Sequence, residues 1–138
     1  MPMKPVVQNE RTGCGIASVA ALAGVSYAHA KAKAGRLGIS AKDPKLWSDT
    51  KYVRTLLSKF GMSVSGKEHK FHSWEKLPDL ALLAIKWHLD KGKPYWHWVV
   101  FIREAGSSYV LDPKKTLKNH MRTDFGRMKP KWFIEVHA

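Results

Sequence analysis

The chain has 138 residues, enough for one hydrophobic core and too few for two ordinary domains, and 44% hydrophobic with 25% charged residues excludes wholesale disorder. It carries 24 Lys and Arg against 11 Asp and Glu, a net charge of +13 that favours anionic partners such as nucleic acid, anionic lipid, or an acidic inhibitor or immunity protein. A single cysteine, Cys14, excludes an internal disulfide and a multi-cysteine zinc site within one chain. No apolar run approaches the roughly 20 residues that span a bilayer. Met1 to Gln8 lacks the apolar centre of a secretory signal. The expectation is a single domain over residues 1–138, cytoplasmic or delivered from the cytoplasm without an N-terminal signal peptide.

Met1 to Glu10 reads as irregular. The first element runs from Cys14 to Ala23, small and apolar almost all round, as a buried helix should be. Thr12 is the candidate N-cap, and Gly24 stands where a glycine ends a helix. A more polar helix follows over Tyr27 to Ala34, closed by Gly35, and Gly35 to Pro44 is irregular. Ser48 or Asp49 can cap a third helix over Thr50 to Phe60, where Val53, Leu56, Leu57 and Phe60 keep helical spacing. Beyond Gly61 the pattern changes to strands: Met62 to Ser65, Leu80 to Trp87, Trp96 to Arg103, Ser108 to Leu111 and Trp132 to Val136. The third and fourth read as an antiparallel hairpin turning at Ala105-Gly106-Ser107. Helices first and strands after them imply an α+β domain, a helical part packed on a mostly antiparallel sheet.

Cys14 lies between Gly13 and Gly15 at the start of the buried helix. A helix N-terminus favours the thiolate form of a cysteine, and flanking glycines would let a substrate backbone come close to the sulfur. Alone, the residue reads first as a buried structural thiol, the commoner fate of a lone cysteine. Gln8, six positions earlier, can aim its amide at the point faced by the Cys14 backbone N–H, and two such donors form an oxyanion hole. Taken by itself, Gln8 is a solvated loop residue. Of the seven histidines, His97 stands out because it heads the β-prone run Trp98-Val99-Val100-Phe101-Ile102. Alternation places it on the face of Val99 and Phe101, either packed among aromatics or paired with the thiol. Asp112 closes the next strand of the hairpin, where it can accept the His97 ring N–H, or simply form an Asp-Pro turn with Pro113. Asp124 and Asn119 are weaker candidates beyond the hairpin.

Three strings carry a resemblance. Gln8-Asn9-Glu10-Arg11-Thr12-Gly13-Cys14-Gly15-Ile16-Ala17-Ser18, Trp96-His97-Trp98-Val99-Val100 and Tyr109-Val110-Leu111-Asp112-Pro113 resemble the motifs of bacteriocin-processing cysteine peptidases, in the papain-like superfamily. The resemblance implies a papain-like fold with Cys14 as nucleophile, His97 as general base and acid, Asp112 as orienter and Gln8 as oxyanion donor. The chain departs from it at Gly13, where many family members carry an acidic residue, and in lacking a membrane transporter part. The function implied is a cysteine hydrolase, whether peptidase, isopeptidase or deamidase, that acts on a peptide or protein through a thioester and needs no cofactor.

Other chemistries find less support. His69 and His72, or His88 and His97, join no cysteine pair and no His-Glu-x-x-His pattern, so no metal site is expected. No phosphate-binding glycine loop or dinucleotide fingerprint occurs. Basic groups at Lys31-Lys33-Arg36, Lys114-Lys115-Lys118 and Arg122-Arg127-Lys129-Lys131 lie in a chain with Trp74, Trp87, Trp96, Trp98 and Trp132. That combination keeps a rival open: a basic bacterial toxin or effector domain of papain-like fold that binds or acts on RNA.

Overall fold

The apolar segment after Gly13 forms α1 (Cys14–Ala23), with every residue from Cys14 to Leu22 buried. This is a computed structural model, and it describes residues 3–137. Gly24 ends α1 in the left-handed conformation, φ 72°, as a C-terminal glycine does. Thr12 does not cap the helix. The N-cap is Gly13, and the Thr12 hydroxyl instead donates to the carbonyl of Ala41, fastening the irregular stretch after the second helix to the start of α1. α2 (Tyr27–Arg36) starts at Ser26, whose hydroxyl accepts the His29 N–H at 3.1 Å. It runs through Gly35, because the positive φ that closes the turn falls at Gly38. α3 (Lys51–Lys59) buries Tyr52, Val53, Leu56 and Leu57, and the Asp49 carboxylate accepts the Lys51 N–H at 2.7 Å. A short 3-10 turn over Pro44–Ser48 precedes it.

The strands are β1 (Ser63–Val64), β2 (His69–Lys70), β3 (Leu80–Asp90), β4 (Lys93–Glu104), β5 (Ser107–Leu111), β6 (Met121–Arg122) and β7 (Pro130–His137). They pair antiparallel in the order β1-β7-β3-β4-β5-β6, with β2 also on β7. The expected hairpin between β4 and β5 is present, turning at Ala105 and Gly106, both at positive φ. β3 and β4 run further than their sequence pattern implies. They continue to a second two-residue turn at Lys91-Gly92, also at positive φ. β2 and β6 are two residues each, too short to show alternation.

The helices cover one face of the sheet. Alternate residues of β4 (Trp96, Trp98, Val100 and Ile102) join α1 and α3 in the larger core. Val99 and Phe101 turn to the other face, where Leu77, Leu83, Ile85 and Met128 build a smaller one. Among the described residues no helix is long and apolar enough to cross a membrane.

The glycines beside Cys14 have a packing cause, which corrects the expectation that they make room for substrate. A Cβ on Gly15 would lie 2.0 Å from the Tyr52 hydroxyl, and one on Gly13 would lie 2.3 Å from that of Tyr27. The space beside both is filled by tyrosine. Gly13→Ala is therefore expected to cost about 1–3 kcal/mol of stability by overpacking. In a Tyr27→Phe background, which removes the clashing oxygen, the same substitution should cost distinctly less. Urea denaturation of the four-member cycle reads the difference, and an equal cost in both backgrounds would refute this packing account.

Candidate active site

Cys14 sits in the first turn of α1, only 1% exposed. Its Sγ accepts the backbone N–H of Trp98 at 3.5 Å, which brings the helix start against β4. His97 is the preceding residue. On one side it pairs with Ile85 of β3, while β5 ends at Leu111, opposite Val100, so the margin of β4 at His97 is open. The flanking Trp96 and Trp98 pack into the core beneath α1. His97 Nε2 lies 2.7 Å from Asp112 Oδ1. That leaves Nδ1 free of Asp112, and the Cys14 thiol lies near enough to the ring to help raise its pKa.

Asp112 has no solvent exposure. Its Oδ1 receives His97 and the Lys114 N–H at 3.0 Å, and its Oδ2 receives Arg122 Nη1 at 2.8 Å. Arg122 is held in turn by Asp124, at 2.9 Å from Nε and 2.7 Å from Nη2. Burial alone would raise the Asp112 pKa. The His97 hydrogen bond and charge, the Lys114 N–H and Arg122 overcome it and hold the carboxyl well below the usual range. Burial would likewise lower the His97 pKa, but hydrogen bonds to Asp112 and Cys14 push it up to about 9.

Gln8 is buried close by, and its backbone N–H donates to the carbonyl of Pro113 at 3.0 Å. Its amide nitrogen donates to the carbonyls of Glu10 (2.9 Å) and Arg11 (3.1 Å), so both hydrogens face the loop. Gln8 Oε1 is buried with no partner among the described residues. The loop is anchored by the Glu10 carboxylate, which pairs with Lys31 and Tyr27 on α2. Burial opposes its charge, but those two partners bring its pKa down to about 2. A cleft of about 560 Å³ opens beside Gln8 and His97, bordered by Trp47, Tyr95, Lys86 and Lys114. Cys14 is not on its lining.

Four solved chains match this one, and among them is a double glycine motif protease from an AMS/PCAT transporter, solved in complex with the leader peptide. The likeness covers 99% of this chain and 92% of that one, with a TM-score of 0.61 and 18% sequence identity. The fold is papain-like. No family model and no curated protein matches the chain.

The structure thus brings Cys14, His97 and Asp112 together and sets Gln8 beside them. Sequence reasoning missed Arg122, grouped there with the basic surface, although Arg122 and Asp124 two residues apart were a legible pair. Asp124 does not reach His97, but it fixes the arginine that fixes Asp112. Asn119 instead accepts the Met121 N–H at 3.0 Å. His120, one of the other six histidines, bonds the Asp112 carbonyl through Nδ1 at 2.8 Å. Of the tryptophans, Trp96, Trp98 and Trp132 meet edge to face in the core, Trp74 packs on Phe71 and Phe125, and Trp87 lies under Lys131. Trp47, not among the aromatics singled out from sequence, is the one that borders the cleft together with Trp96.

The two shifts fix a pH window. The stabilisation from His97 is complete below its ordinary value of 6.5 and is lost as pH rises through about 9. That from Asp112 is present above the ordinary carboxylate value of about 4 and is lost as pH falls below it. Asp112→Asn should lower the His97 midpoint by roughly a unit or more, because burial then meets less opposition. Ring-proton NMR of the two proteins checks this, and an unchanged midpoint would contradict the assignment of the shift to Asp112.

Proposed function

We propose that the chain is a cysteine hydrolase that cuts an amide bond in a peptide or protein through a thioester. One observation carries the reading: Asp112 takes Nε2 of His97 and leaves Nδ1 for a thiol at a helix start. This is the arrangement a thiol nucleophile needs, a base within reach that is itself oriented by a third group. The papain-like fold supports it, and the solved neighbour, a protease holding a leader peptide, favours a peptide as the occupant. Trp96 and Trp98 are buried and pack on Trp132, which does not favour the RNA reading.

In this mechanism the thiol proton has already passed to His97, whose imidazole is raised to about 9, when Sγ attacks the scissile carbonyl. The tetrahedral oxyanion takes the Cys14 backbone N–H, which as a first-turn donor has no partner within the helix. It also takes one Gln8 amide hydrogen, which turns from its loop carbonyl. Collapse breaks the C–N bond, and the amine leaves with the proton held by His97. Water then gives a proton to His97 and attacks the thioester carbon, which frees the acid and restores the thiol. An imidazole raised to about 9 holds its proton readily between these steps. Because Cys14 is 1% exposed, substrate entry displaces the loop from Gln8 to Arg11 that borders the cleft.

Cys14→Ala should abolish hydrolysis, a loss of at least about 10³-fold in kcat, with the circular dichroism unchanged. Iodoacetamide should inactivate the native chain in proportion to the Cys14 it modifies, the sole thiol. A fully active Cys14→Ala protein would end this reading.

A further inference from the structure

The cleft carries a charge imbalance that the hydrolytic reading does not use. Four cations border it: Arg11 from the Gln8 loop, Lys86 from β3, and Lys114 and Lys115 from the segment after Asp112-Pro113. Among the described residues none of the four forms an ion pair. Two acids also border the cleft. Glu10 is already engaged by Lys31 and Tyr27, which leaves Asp90 at the hairpin tip.

Lys86 is placed there by an irregular backbone. Its φ is 55°, a left-handed conformation that a lysine adopts at a cost, and it falls where the β3–β4 register shifts between Ile85 and His88. The strained position sits on the cleft rather than on a remote turn. Burial first, and then the neighbouring charges of Lys114 and Arg122, push the Lys86 pKa down. The nearby carboxylate, Asp112, already holds His97 and Arg122.

We propose that this cleft binds peptide segments bearing acidic side chains, whose carboxylates are received by Lys86, Lys114 and Lys115. The inference rests on the hydrolase reading for what happens to the peptide afterwards, but not for its binding. A carboxylate entering the cleft relieves the repulsion among the lysines and meets donors that no internal acid occupies. The space, about 560 Å³, suits a few residues of an extended chain. A nucleic acid strand fits it less well. Trp47 and Tyr95 meet edge to face rather than opening a flat stacking surface.

The test uses the full chain carrying Cys14→Ala, so that nothing is cut. Three fluorescent libraries of decapeptides, acetylated and amidated at their ends, differ only in having Glu, Gln or Lys at alternate positions. Fluorescence anisotropy at low salt should show the Glu library binding about tenfold more tightly than the Gln library, with the preference shrinking as salt rises. Lys86→Ala, Lys114→Ala and Lys115→Ala combined should remove the preference. Equal binding of the Glu and Gln libraries, no binding of any library, or a preference that survives the triple substitution would overturn the proposal. So would a single-stranded RNA that displaces the Glu library through the same lysines at lower concentration. The hydrolase reading is read separately, from cleavage of the same libraries by the unsubstituted chain. Preference without cleavage counts against hydrolysis alone, and cleavage without preference counts against the acidic subsite alone.

Discussion

A carboxylate with no contact with water must either be protonated or be surrounded by donors. Asp112 is surrounded, by His97, the Lys114 N–H and Arg122, and the site is organised around it. Each donor comes from a different stretch of chain: the open margin of β4, the turn after β5, and the two-residue strand β6. A buried anion whose partners are lost costs several kcal/mol, so these stretches are held in register by more than their few backbone bonds. The same constraint fixes the imidazole. With Nε2 committed to Asp112, the ring presents Nδ1 to the start of α1, and the tautomer follows from the partner on the far side.

The second framework is the loop that leads to Cys14. It is tied at one end to the turn beyond Asp112, through the bond from Gln8 N–H to the Pro113 carbonyl. In the middle it is tied to α2, through Glu10 with Lys31 and Tyr27. The two frameworks therefore meet at Pro113. Acidic residues are scarce in a chain of net charge +13, and Glu10, Asp112 and Asp124 are engaged in holding this region together. The excess of cations around the cleft is the other side of that distribution.

Much of this was legible in the residues. The apolar run after Gly13, the spacing of Val53, Leu56 and Leu57, and the hairpin about Ala105-Gly106 are local patterns, and the helices and strands they imply are present. The meeting of His97 with Asp112 followed from the hairpin, because antiparallel pairing returns the end of one strand to the start of its neighbour. Local patterns fail where two distant segments share a purpose. Thr12 looked like a cap because capping is the nearest use of a threonine there, whereas its partner is Ala41. Arg122 looked like basic surface because its partner lies ten residues back, across a strand pair too short to leave a pattern. The length of the β3–β4 hairpin was hidden in the same way, since beyond Trp87 the residues of β3 are exposed and leave no apolar pattern.

The Gly-Cys-Gly string has a consequence of a different kind. Both glycines are required by the hydroxyls of Tyr27 and Tyr52, which occupy the volume a side chain would need. They belong to the architecture of the helix start and would be retained by a descendant that had exchanged its cysteine for another residue. Among sequences built on this plan, the glycines report how α1 is seated, and only the residue between them bears on the proposed nucleophile.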